Sequence, residues 1–217
     1  MIKKQKLITQ KYITTMKNTS RKNKSSMATT EYTRNGITVL RVKHSNIKKS
    51  SDNMKDNRKK FAARQAILTK FADSYKIGFD QLKQQGQTAY NAGVSFNTSH
   101  AVNDGVVDMN MLQMSQGPLP GVRITRCEIV DQKLVVEWDS EMTPALGADD
   151  AIVATVAKEK MDIRPFMVMH DGLRRKHGRL VRELDRNWLS DSIYVYLFAF
   201  RSEINACSNT SCAKIDR

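Results

Sequence analysis

The stretch SIYVYLFAF, residues 192–200, limits the possible folds of this chain more than any other. β-branched and aromatic residues at this density read as a strand. Side chains alternate along a strand, so Ile193, Val195, Leu197 and Ala199 share one face and Tyr194, Tyr196, Phe198 and Phe200 the other. A sheet with one wet face needs one apolar side; two apolar sides require cover on both. The cover comes either from helices of the same chain or from a neighbouring subunit. In the second case Tyr194, Tyr196, Phe198 and Phe200 form a candidate subunit interface.

The segments around this strand predict its partners. From Val106 onward, short alternating runs separated by turn residues recur: VVDMNMLQM, RITRCEIV, KLVVEW, AIVATVAKE, RPFMVMH, GRLVREL and a last run near ACSNTSCAKI. In KLVVEW, Leu134, Val136 and Trp138 point one way, and Val135 and Glu137 the other. VDQK supplies a tight turn between two such runs. Roughly 110 residues with seven or eight strands have the size of an immunoglobulin- or fibronectin-III-like β-sandwich, expected here over 105–217.

Residues 29–104 read differently. Asn35-Gly36, flanked by Tyr32 and by Ile37, Val39 and Val42, predicts a hairpin, because a type I′ turn needs two residues that tolerate positive φ. A helix is expected over 53–77, capped by Ser51 or Asp52, with Phe61, Gln65, Leu68, Ala72 and Tyr75 on one stripe. A second helix over 87–103 brings Tyr90, Gly93, Val94, Asn97 and Ala101 to one face, with Gly93 allowing close helix packing. The fold class is therefore α+β: a hairpin and two helices, then an antiparallel sandwich.

Charge divides the chain more sharply than pattern does. Residues 1–70 hold 19 Lys and Arg against Glu31, Asp52 and Asp56, a balance of +16; residues 71–217 hold 17 basic and 19 acidic groups, a balance of −2. Residues 1–28 carry no acid and no sustained period, and read as a basic arm. Met27 is an alternative start. The arm has the basic flank of a signal peptide without its apolar core, so export by that route is not expected. No apolar run is long enough to span a membrane, and the expected setting is cytoplasm or virion. The partner- or nucleic-acid-binding candidates are Lys3, Lys4, Lys6, Lys11, Lys17, Arg21, Lys22, Lys24, Lys48, Lys49, Arg58 and Lys59.

No nucleotide-binding glycine loop, zinc-protease helix, nucleophile elbow or calcium loop occurs. Cys127, Cys207 and Cys212 are odd in number and scattered, which reads as reduced thiols rather than a disulfide framework or metal site. His170-Asp171 and His177 belong to a segment that Asp-Gly turn chemistry explains, and His100 reads as a packing or capping residue. Asp149, Asp150, Glu159 and Asp162 read as solvated turn acids. Met109, Met111, Met114, Met161, Met167 and Met169 read as core filling at strand period. No catalytic, cofactor or metal residues are expected.

Four stretches, YTRNG, NRKKFAARQAILTKFADSYKIGF, TAYNAGVSFNTSHAV and MSQGPLPGV, together resemble an uncharacterised family of proteins of about this length from Bacteroidota and, by extension, their phages. The resemblance covers about residues 31–120 by motif and the rest by pattern. It aligns Lys60-Phe61 with the family's first helix, Tyr90, Asn91, Ser95 and Asn97 with its second, and Ser115, Gly117 and Leu119 with the following turn. The family's Gly-rich opening is replaced here by the basic residues 1–26. The resemblance implies a C-terminal sandwich and a bacterial or phage origin, and no chemistry. With the charge pattern, it makes a non-enzymatic assembly protein the first expectation. Such a protein would be a homo-oligomer or one subunit among others, as in a phage tail ring, connector or capsid-associated protein. Non-specific nucleic-acid binding through the basic residues of 1–64 is the alternative.

Overall fold

A computed structural model describes residues 29–34, 37–42, 51–141, 147–168 and 172–217. The chain divides into two compact units, Met1–Lys49 and Ser50–Arg217. In the first, β1 (Thr29–Arg34) pairs antiparallel with β2 (Ile37–Val42), setting Tyr32 opposite Val39 and Thr30 opposite Arg41. Asn35 and Gly36, on which the hairpin expectation rests, lie outside the described residues.

In the second unit the expected helix over 53–77 is two. α1 (Asp52–Leu68) starts where the Ser51 hydroxyl accepts from the Met54 amide, a 3₁₀ turn (Thr69–Phe71) breaks it, and α2 (Ala72–Gly78) follows. Phe61 is 50% exposed instead of lying on the buried stripe, because burial begins only at Leu68 and runs through Phe71, Tyr75 and Phe79. α3 (Ala89–His100) is shorter than expected; the Thr88 hydroxyl accepts from the Asn91 amide and sets its start. Gly93 lies against Tyr75, where a Cβ would come within 2.7 Å of the Tyr75 ring. The close packing expected of that glycine is present.

The first expected strand, VVDMNMLQM, is mostly not one. β3 (Val102–Asn103) and β4 (Val106–Val107) form a two-residue ladder, and Met109–Met111 is a 3₁₀ turn in which the Asp108 carboxylate accepts from the Asn110 amide. A short polar side chain competing for the backbone overrides strand periodicity there. Met109 and Met114 are buried, Met111 is exposed and Met169 lies outside the described residues.

Two antiparallel sheets follow. β5 (Ile124–Val130), β6 (Lys133–Trp138) and β9 (Arg179–Glu183) form one, in the order β5-β6-β9. In the other, β7 (Ala151–Lys158) lies between β8 (Phe166–Val168) and β10 (Ile193–Arg201), which also pairs with β11 (Ala206–Cys207) and β12 (Ser211–Ile215). The β5–β6 turn places Asp131 and Gln132 at φ 48° and 61°, the two positive values a type I′ turn requires. Leu134, Val136 and Trp138 of the small sheet meet Ile152, Ala154, Val156, Val195 and Leu197 of the large one in a single core.

On the opposite face of the large sheet lies a second core. Val153, Tyr194, Tyr196 and Phe198 pack with Leu68, Phe71, Tyr75 and Phe79 of the helical layer. Phe71 meets the Tyr196 ring edge-on at 5.9 Å, the Tyr196 hydroxyl donates to the Met109 carbonyl at 2.7 Å, and the Ser74 and Thr155 hydroxyls pair at 2.7 Å. Of the two covers open to the aromatic face, the chain supplies the helical one. Tyr194, Tyr196 and Phe198 are at most 3% exposed and Phe200 is half-buried against the same core, so the candidate subunit interface on these four residues is corrected: their surface is used within the chain.

Candidate functional site

Four of the positions aligned by the family resemblance, Asn97, Ser115, Gly117 and Leu119, help to tie the helical layer and the segment after it to the large sheet. Asn97, fully buried, donates from Nδ2 to the Gln113 carbonyl at 2.8 Å while its Oδ1 accepts from the Gln113 amide at 2.8 Å. That two-way bond fixes the segment after the helices against α3. Ser115 Oγ donates to the Ser208 carbonyl at 2.8 Å, and Thr210 Oγ1 accepts from the Met114 and Ser115 amides, both at 2.9 Å. Gly117 passes so close to β11 that a Cβ would lie 2.2 Å from the Cys207 carbonyl oxygen, and Leu119 donates to that same oxygen at 3.0 Å. Buried hydroxyls and an amide that satisfy backbone groups specify one packing of the layers.

A buried charge cluster closes the other side of the large sheet. Arg175 is 1% exposed; its guanidinium donates to the Gly121 and Pro120 carbonyls at 2.8 and 2.5 Å and lies 4.0 Å from the Asp150 carboxylate. Asp150 in turn accepts from Arg201 Nε at 2.6 Å. Gly147, at φ 110°, makes room for this carboxylate: a Cβ there would sit 2.3 Å from Oδ2. Burial pulls the Arg175 pKa down, and Asp150 partly restores it. The Asp150 hydrogen bond holds Arg201 above the ordinary arginine value. The solvated-turn reading of Asp150 is thus corrected. Nothing in GLRRKHG marks Arg175 as buried and Arg174 as not, so pattern reasoning had no signal for this cluster.

Lys158 and Ser190 raise the question of a nucleophile. The buried Lys158 ammonium is 3.3 Å from the Ser190 hydroxyl, but it donates to the Asp162 carboxylate at 3.0 Å, and that bond holds the Asp162 pKa down. A lysine committed to a carboxylate is a poor base for a neighbouring hydroxyl. Burial pushes the thiols of Cys127 to about 11 and of Cys207 and Cys212 to about 12, away from nucleophilic or metal-binding thiolates. His177 Nδ1 accepts from the Arg174 amide at 3.1 Å and caps a turn, and His100 stacks on Phe96. His170 and Asp171 lie outside the described residues. Among the described residues no three His, Cys, Asp or Glu side chains gather at metal-binding range, and no helix is long and apolar enough to cross a membrane.

The basic candidates fall mostly outside the described residues: Lys3, Lys4, Lys6, Lys11, Lys17, Arg21, Lys22, Lys24, Lys48 and Lys49. Arg58 and Lys59 are exposed on α1, while neighbouring Lys55 pairs with Asp52 at 2.8 Å and Lys60 with Asp104 at 2.7 Å. The unit boundary falls inside the basic first third and leaves most of the excess charge on its N-terminal side. Residues 1–49 hold 13 Lys and Arg against Glu31 alone, a balance of +12; residues 50–217 hold 23 against 21, a balance of +2.

A family model, described as a family of unknown function (DUF6266), matches residues 20–210, a range that takes in all four stretches carrying the resemblance. No curated protein matches the chain.

Proposed function

The chain belongs to this family of unknown function, and we propose that it is a non-enzymatic assembly subunit that docks through its cationic N-terminal unit. The observation that carries this reading is the segregation of charge. Nearly all of the net positive charge sits in Met1–Lys49, apart from the helix-and-sheet unit of near-zero balance. The β1–β2 ribbon in that unit exposes Tyr32 and Leu40 at 44% and 65%. Two strands alone are marginally stable in water and gain from a partner surface. Basic side chains around such a ribbon favour an acidic partner and speed its capture.

The body suits a scaffold. With the two-residue β11 set aside, its first, second and fifth sandwich strands (β5, β6, β9) form one sheet, and its third, fourth, sixth and seventh (β7, β8, β10, β12) the other. We read this as an immunoglobulin- or fibronectin-III-like sandwich whose fourth strand has joined the larger sheet. Subunits of a phage tail ring, connector or capsid would use such parts, with copies of the same chain among the partners.

Light scattering on the full chain tests the proposal. Self-association or co-elution with an acidic partner is expected, and replacing the basic residues of 3–24 by serine abolishes it. A strict monomer at high concentration, unchanged by loss of residues 1–26, overturns it. The second reading, nucleic-acid binding, draws on exposed Arg58 and Lys59 and on the register that sets Tyr32 beside Arg41 on one face of the ribbon. It predicts a DNA or RNA mobility shift that weakens steeply with salt. No shift at low salt removes it.

A further inference from the structure

A cavity of about 310 Å³ opens beside α3, and its lining contains no acid, lysine or arginine. Gln84, Gln87 and Gln116 line it, with Ser95, Ser99 and His100. Part of this polar set is used within the chain. Gln87 Oε1 accepts from the Gln84 backbone amide at 3.2 Å, and Ser99 Oγ donates to the Ser95 carbonyl at 3.3 Å. The Gln84 and Gln116 side-chain amides and the Ser95 hydroxyl have no partner among the described residues.

The imidazole is oriented as well as present. Its Nδ1 lies 3.0 Å from the Phe96 carbonyl, a bond that only a protonated Nδ1 makes, so the neutral ring offers Nε2 as an acceptor. The ring stacks on Phe96 with centroids 4.0 Å apart and planes 7° from parallel, and Phe96 leans on buried Phe79 at 5.5 Å. The stack is thus anchored in the core, and the second face of His100 has no ring partner among the described residues.

Amides, hydroxyls and a flat ring without fixed charge select against phosphates and carboxylates, which are held by cationic or charge-assisted donors. They suit a neutral ligand with several hydroxyls. A side-chain amide both donates and accepts, as a sugar hydroxyl does, and the C–H face of a pyranose packs on an aromatic ring. The volume is at the lower end of the range of about 300–1,000 Å³ for small-molecule sites. We propose that this cavity binds one neutral pyranose unit, as a free sugar or as the end residue of a glycan. The site lies on α3, the segment 79–87 before it and Gln116, and uses nothing from residues 1–49, so it stands or falls independently of the docking reading.

Saturation-transfer NMR on the full chain tests it, with glucose, galactose, mannose and N-acetylglucosamine, each as the free sugar and as its disaccharide. Saturation is expected to reach the ring C–H protons of at least one sugar. Binding of both forms assigns a free-sugar site; binding of the disaccharide alone assigns a glycan end. Replacing exposed Gln84 and Ser95 together by alanine is expected to weaken binding about tenfold with the melting temperature unchanged; Gln84→Ala alone serves if the pair disturbs folding. No transfer to any of these sugars overturns the proposal, as does transfer indifferent to the substitutions in a folded protein.

Discussion

Replacing Gly93 by alanine probes the close approach of α3 to α2, because two terms of opposite sign compete there. In a helix interior alanine is favoured over glycine by about 0.5–1 kcal/mol, since glycine loses more backbone freedom on folding. On that term alone the variant is stabilised. The contact term opposes it. A Cβ at position 93 would lie 2.7 Å from Tyr75 Cγ, 2.9 Å from Tyr75 Cβ and 3.0 Å from Phe79 Cδ2, where carbon atoms prefer about 3.5–4.0 Å. Neither ring has room to retreat. Tyr75 and Phe79 are 0% and 1% exposed, and Tyr75 packs against Phe71 at 6.2 Å and Phe79 at 5.8 Å. Its Cβ moves only with the backbone of α2. Overpacking costs typically about 1–3 kcal/mol, and with neither ring free to retreat the upper part of that range, about 2–3 kcal/mol, applies, which leaves a net loss of about 1–2.5 kcal/mol. For a domain of this size that is a fall of about 2–10 °C in Tm. Urea denaturation followed by tryptophan fluorescence, with the melting curve from circular dichroism, measures it. A Gly93→Ala protein as stable as the wild type or more so would refute the reasoning, because α2 and α3 could not then approach this closely.

Two further perturbations separate buried from exposed charge. Asp150→Ala removes the carboxylate beside buried Arg175 and Arg201 and is expected to cost about 3–5 kcal/mol in equilibrium denaturation; a comparable loss from Asp149→Ala, whose exposed carboxylate pairs with Lys176 at 2.6 Å, would contradict the contrast. Asp73, Asp80 and Asp162 are held below the unperturbed 3.8, chiefly by hydrogen bonds from Lys76, Lys83 and Lys158. A folded-state pKa below the unfolded one adds stability above 3.8 that is lost as pH falls through the folded values. Denaturation midpoints should therefore be flat from pH 7 to 5 and drop below about pH 4, and a drop already complete at pH 5 would contradict this assignment.

How much was legible depended on how local each cause is. The doubly apolar face of residues 193–200 demanded a third layer, and the helical layer meets that demand through Phe71 and Tyr75. Gly93 was legible as a close-packing residue, because only the absence of a side chain allows the 2.7 Å approach. Phe61 misled: its place on a helical stripe says which way it faces, not whether anything lies beneath, and α1 becomes buried only at Leu68. The Met109–Met111 turn misled for the opposite reason, a local Asp108 hydrogen bond overriding a strand-like period. The basic candidates at Arg58 and Lys59 were legible as exposed helix residues; the polar cavity beside α3 was not, since its amides come from two segments, the loop at 84–87 and Gln116, far apart in the chain.

The sequence by itself determined that a helical region precedes a run of antiparallel strands, the need to cover both faces of β10 and the concentration of positive charge at the N-terminus, because periodicity, steric freedom and charge are properties of neighbouring residues. Only the tertiary structure decided which element covers the aromatic face, and with it that Tyr194, Tyr196 and Phe198 are core. It also decided that Asp150 and Arg175 meet in the interior, and that Gln84, Ser95 and Gln116 line one cavity. Those pairings join residues far apart in the chain, and only the packing of the layers brings them together.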